Sequence, residues 1–152
     1  MHVYVQEVIV QVVIFRVGTE YFALEGDRVG GIVEEEKNVT DAQTFGRHII
    51  GFLNLEEQIV PILPFYETVQ IMPPEEGYSN FILIVHKDKW VAIPVEETEK
   101  HCDLGQESFH PLPQVAQSGG NGYIRQIASH NGRLILLLDA DKLVADLAGD
   151  IS

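Results

Sequence analysis

The chain has 152 residues, of which 23 are acidic and 10 basic, giving a formal charge of −13; 45% are hydrophobic and 22% charged. A chain of this size and balance folds as a globular protein that buries roughly 70% of its unfolded surface, and its negative field disfavours nucleic acid and anionic membrane surfaces as partners. The single cysteine, Cys102, rules out an internal disulfide and a thiolate metal cluster.

The first apolar stretch, residues 3–17, is broken by Gln6, Glu7, Gln11 and Arg16 and falls short of the about 18 apolar residues of a membrane span. The pattern of a signal peptide is missing too, so a soluble, cytoplasmic protein without membrane insertion is expected. Val8–Val17 is rich in β-branched residues and predicts a strand ending at Gly18, with Tyr21–Leu24 as its partner. Val29–Val33 predicts a further strand. The polar stretch Asn38–His48 contains Thr40-Asp41-Ala42-Gln43, whose capping-box spacing predicts a helical turn.

Next come two apolar runs around an acidic tip, Ile49–Leu55 and Gln58–Leu63 on either side of Glu56-Glu57. This pattern reads as a tight hairpin with a buried body and an exposed tip. Pro61 cannot donate to a ladder, so its strand is expected at an edge or a bulge. Pro64–Ser79 is looser, and Pro73-Pro74-Glu75-Glu76-Gly77 marks the expected boundary between halves. Phe81–Val85 and Trp90–Val95 predict a hairpin about Lys87-Asp88-Lys89. Residues 96–110 are mixed, and Ser118-Gly119-Gly120-Asn121-Gly122 predicts a flexible loop. Tyr123–Ala128 and Leu134–Leu138 predict a last hairpin turned at Asn131-Gly132. Asp139 or Asp141 then caps a helix whose Leu143, Val144 and Leu147 share one face, with Gly149 near its end.

The halves look alike. Val13–Phe15 with Tyr21–Leu24 matches Leu83–Val85 with Trp90–Ile93, and Ile50–Leu63 matches Ile124–Leu138, in the same order. A duplicated unit of about 70 residues explains this, because such a unit alone buries its core poorly.

Catalytic and metal chemistry find little support. Neighbouring side chains of an extended chain point to opposite faces, so His101-Cys102-Asp103 does not converge, and Cys102 reads as a small apolar thiol. The six histidines (His2, His48, His86, His101, His110, His130) show no ligand spacing, so no metal and no cofactor is expected. Glu34-Glu35-Glu36 and Glu96-Glu97 with Glu99 read as solvated faces; their functional alternative is a rim that steers a basic partner. The glycine-rich loop near 119–122 lacks the lysine and hydroxyl of a phosphate cradle. Trp90 reads as a core residue with its indole N–H near the surface. Phe45, Phe65, Tyr66 and Tyr78 fall between strands, where they serve an interface or cover open barrel ends.

Several of these segments together carry a family resemblance: Phe15 with Tyr21-Phe22-Ala23-Leu24 and Val29; Ile50-Gly51-Phe52-Leu53-Asn54-Leu55 with Gln58-Ile59-Val60-Pro61-Ile62; Val91-Ala92-Ile93-Pro94-Val95; and Leu136-Leu137-Leu138-Asp139 with Lys142-Leu143. Over roughly residues 10–147 the chain resembles the CheW-like family of adaptors in bacterial chemosensory arrays. The resemblance implies a mainly β fold of two small five-stranded antiparallel barrels around a shared core, with a short C-terminal helix. It further implies one domain, with subdomains of roughly 14–80 and the remainder and the N-terminal strand shared. The implied function is non-enzymatic: an adaptor coupling a chemoreceptor to the regulatory domain of a CheA-type histidine kinase. The partner-binding residues it implies are Val29, Gly31 and Ile32, and the tip Asn54, Leu55, Glu56, Glu57 and Gln58. Two departures stand out. The family usually carries Arg-Gly where this chain has Glu56-Glu57, and an acidic residue near Gly31. Exchanging a guanidinium for a carboxylate reverses charge and removes a five-donor fork, so an altered receptor contact is expected. The competing reading is a small-molecule-sensing β-barrel without kinase coupling, for which a buried polar cavity is the mark and a packed interior the counter-mark.

Overall fold

The computed structural model describes residues 9–34, 39–41, 48–112 and 122–148. Twelve strands and two short helices form among them: β1 (Ile9–Val17), β2 (Glu20–Glu25), β3 (Val29–Val33), β4 (Val39–Asp41), β5 (Gly51–Leu55), β6 (Gln58–Ile62), α1 (Phe65–Val69), β7 (Asn80–His86), β8 (Lys89–Val95), β9 (Glu97–Gly105), β10 (Phe109–His110), β11 (Ile124–His130), β12 (Arg133–Leu138) and α2 (Ala140–Ala148). The predicted hairpins are all present. Lys87-Asp88 (φ 49° and 62°) and Asn131-Gly132 (φ 52° and 75°) put both central residues in the left-handed region. That turn geometry matches the twist of the flanking strands.

The strands build two six-stranded sheets. The first runs β10-β11-β12-β2-β1-β9 and the second, read in the corresponding direction, β4-β5-β6-β8-β7-β3. The two orders are the same. In each, one hairpin joins in parallel to the second strand of another, β12 to β2 and β6 to β8, and all other pairings are antiparallel. The chain reaches this symmetry by exchange. β1 and β2 lie in the sheet of β9–β12, and β7 and β8 lie in the sheet of β3–β6. Strands between residues 80 and 95 are therefore hydrogen-bonded into the sheet of 29–62, and the expected division near residue 80 separates sequence repeats rather than sheets.

Three cores follow from the strand periodicity. On β1, Val12 and Ile14 face the first sheet's own interior with Leu104, Ala128 and Ile135, while Val13, Phe15 and Val17 face the second sheet. β7 alternates the same way, with Phe81 and Leu83 inward and Ile82 and Ile84 in the shared core. Central strands buried on both faces read as continuous apolar runs, which is why they were visible in the sequence. Phe15, Phe22 and Phe65 meet at centroid distances of 5.1–5.7 Å in the shared core. α2 closes it with Ala140, Leu143, Val144 and Leu147, the expected face. Asp139 is the cap: its carboxylate accepts from the Lys142 N–H at 3.1 Å.

The expected mainly β fold of two strand assemblies around a shared core with a short C-terminal helix holds, and several details differ. Each sheet has six strands rather than five, contains one parallel junction, and is not closed by a ladder among the described residues. The first sheet nevertheless curls until Glu99 of the edge strand β9 accepts a hydrogen bond from Arg133 of β12 at 3.3 Å. Thr40 and Asp41 lie in β4, paired with Phe52 and Gly51, rather than in a helical turn. Strand pairing outweighs a weak capping signal there; residues 42–47 lie outside the described set. Pro61 is not in an edge strand: β6 sits between β5 and β8. The paired position with β8 is Ile62↔Ala92, one residue past the proline, so no ladder needs its missing N–H. Beyond the extended reading of His101-Cys102-Asp103, the nine-residue β9 and the helix α1 have no counterpart among the expected elements.

Candidate functional site

The β5–β6 tip presents its residues as expected. Asn54, Glu56, Glu57 and Gln58 are exposed, and Leu55 packs partly against the second sheet's inner core. Neither glutamate forms an ion pair with a described residue. Beyond the tip, β6 alternates: Val60 and Ile62 are buried, whereas Ile59 is 66% exposed. Because β6 and β8 pair only at Ile62↔Ala92, their N-terminal ends are not held together by a ladder. A groove of about 750 Å³ opens beside them. Ile49, Ile59, Pro61, Trp90 and Val91 line it, with Val144, Ala145 and Ala148 of α2, and His86, Lys87, Asp88, Lys89 and Gln58 stand at its margin. Trp90, expected as core, is half-buried and shared between the inner core and this groove.

The other expected set lies on β3, an edge strand separated from β5 by β7, β8 and β6 in ladder order. Val29 and Ile32 pack against the shared core. A Cβ on Gly31 would stand 3.5 Å from Leu83 Cδ1, and one on Gly30 would stand 3.2 Å from the Trp90 ring. No ladder joins the two sets; what they share is the inner core that Val33 and Leu55 both flank. The structure thus assembles Gln58 with the groove and leaves Val29, Gly31 and Ile32 on a separate rim.

Behind the groove, Asp141 ties three elements together. It accepts from Arg28 Nη1 at 3.2 Å and lies 2.9 Å from His86 Nδ1. Arg28 also donates to the Val85 carbonyl at 2.9 Å. The Arg28 hydrogen bond, then the His86 contact, hold the Asp141 carboxyl at about 2.

Phe65 and Tyr66 are buried and Tyr78 is partly so, which makes them core residues rather than interface aromatics; Phe45 lies outside the described residues. The Tyr66 hydroxyl is buried without a hydrogen-bond partner of good geometry, close to the Glu96 carboxylate. Burial first, and then that charge, push its pKa well above the usual tyrosine range. No polar or charged residue is buried among the described ones. An interior without buried polar or charged residues among the described ones counts against the sensing-barrel reading. Sequence spacing missed one constellation: the curl of the first sheet brings Glu99, Cys102 and His130 together. The side chain of His101, residues 113–121 and Gly149 lie outside the described set.

This fold and surface define a two-sheet β module with an apolar groove open beside a hairpin tip. A family model of the CheW-like domain matches residues 11–148, and the chain belongs to that family. It is 21% identical over 97 residues to the chemotaxis protein CheW of Rhizobium meliloti (strain 1021), a match covering 63% of this chain and 63% of that protein. The crystal structure of the scaffolding protein TtCheW from Thermoanaerobacter tengcongensis superposes with a TM-score of 0.78 at 18% identity, covering 95% of this chain and 98% of that one. No described helix is long and apolar enough to cross a membrane.

Proposed function

We propose that this chain is a cytoplasmic, non-enzymatic adaptor of a chemosensory assembly, coupling a chemoreceptor-like protein to the regulatory domain of a CheA-type histidine kinase. Family membership supports the class, and the relatives are a chemotaxis protein and a scaffolding protein. The observation that carries docking is Ile59. A strand apolar on both faces is stable when both are covered, and here the outward face at Ile59 and Pro61 opens on a groove. Leu134, 70% exposed, is the second residue of β12 as Ile59 is of β6. An adaptor needs two contact surfaces, and this repeat-related pair supplies one on each sheet.

The receptor contact is the altered one. Glu56 and Glu57 put two carboxylates where relatives usually carry a guanidinium, so the cognate partner presents basic groups to them. The test is a titration against ordinary receptor tips and CheA-type regulatory domains. Glu56→Arg should strengthen binding to the ordinary receptor tip, by about tenfold for each 1.4 kcal/mol recovered. Tight wild-type binding that Glu56→Arg leaves unchanged would refute the altered contact.

A further inference from the structure

The first sheet has a seam where no ladder runs, between the edge strand β9 and the β11–β12 hairpin. Glu99 and Cys102 stand on β9, and His130 ends β11 just before the Asn131-Gly132 turn. One ligand atom from each of the three lies within 4.8 Å of the other two. Cys102 Sγ is 3.7 Å from Glu99 Oε2. Four-coordinate zinc, with ligands at about 2.0–2.3 Å, holds them about 3.3–3.8 Å apart, so this pair already stands at coordination separation and the histidine needs roughly 1 Å of side-chain rotation.

We propose that Glu99, Cys102 and His130 form a binding site for a borderline-soft divalent transition metal of the zinc class. One thiolate, one imidazole and one carboxylate are its preferred donors, whereas magnesium and calcium take oxygen alone. The Glu99 carboxylate is held for this: Oε1 accepts from Arg133 Nη1 at 3.3 Å, which leaves Oε2 facing the thiol. Arg133 is itself seated over the Tyr21 ring, 4.6 Å from its centroid. Outer partners of this kind fix the orientation of a ligating carboxylate. Burial, and then the Glu99 and Asp103 charges, raise the Cys102 pKa. In the metal-free protein the sulfur therefore keeps its proton; on binding, the S–H bond breaks, sulfur donates its pair to the metal and the proton leaves to solvent. Water fills the fourth position. The bound ion clips β9 to β11 across the seam.

Cobalt(II) added to the intact, reduced protein is the probe. Cys102 is the only thiol in the chain, so a thiolate-to-cobalt charge-transfer band reports this site alone. The expected result is a band that saturates at one cobalt per chain and is displaced by zinc, with a zinc-dependent rise in melting temperature. Cys102→Ser should abolish the band. His130→Gln, at the partly buried end of β11, should weaken cobalt binding by about tenfold or more while melting like wild type without metal. No band on the wild type, a band needing two chains per cobalt, or one that His130→Gln leaves unchanged would overturn the site.

Discussion

At the residue scale, Ile59 and Asp141 separate what holds the fold from what the fold offers. Ile59 makes little of the core, so Ile59→Glu should change unfolding free energy by no more than about 0.5 kcal/mol in denaturant titrations. Phe65, fully buried between Phe15 and Phe22, is the contrast: Phe65→Ala should cost about 3–5 kcal/mol in the same measurement. Asp141 has a folded pKa of about 2 against an ordinary 3.8. Its contribution is thus fully present about a unit above that ordinary value and is lost as pH falls through 3.8 toward 2. Its side chain is 59% exposed, so solvent screens the ion pair and the effect is small and salt-sensitive. Melting curves between pH 5 and pH 2 should show a shallower acid decline in Asp141→Asn than in wild type. The tip residues Asn54 to Gln58 could be read from polarity at the joint of two apolar runs. The exposure of Ile59 could not, because a residue inside an apolar run gives no local sign of which face is covered.

At the element scale, turn chemistry decided what the sequence revealed. Asn131-Gly132 and Lys87-Asp88 encode their hairpins within two residues, and the apolar runs beside them set the register. Gly132 has φ +75° with open space where a Cβ would go, so Gly132→Ala should lose roughly 1–2 kcal/mol from backbone strain alone, read by denaturant unfolding. β9, β4 and α1 were hidden for a common reason. β9 carries Glu97, Glu99, Lys100 and Asp103 because an edge strand is kept from aggregating by charge, which erases its alternation. β4 is a strand only because β5 offers it an edge. α1 follows Pro64, spans five residues, and is anchored by burial of Phe65 and Tyr66 rather than by helix propensity. The Glu99, Cys102 and His130 cluster was out of reach in the same way, since the curl of a sheet has no signature in spacing.

At the scale of the whole molecule, two sequence repeats trade their first hairpins. The repeat was visible as two matches in the same order; the exchange was not, because either hairpin could in principle pair with either set of strands. One consequence is testable. Fragments 1–76 and 77–152 each lack the hairpin that completes their sheet, so neither should melt cooperatively alone, whereas an equimolar mixture should recover the fold by circular dichroism. Cooperative melting of fragment 1–76 by itself would contradict the exchange. The same arrangement puts Ile59 and Leu134 at corresponding places on the two sheets, which suits a molecule that links two partners.

The most direct test is a calorimetric titration of a CheA-type kinase regulatory domain with wild-type chain, Ile59→Glu and Leu134→Glu. The account predicts that wild type binds and that at least one variant loses about tenfold or more in affinity while its melting temperature is unchanged. No binding by the wild type, or equal binding by all three, would contradict it.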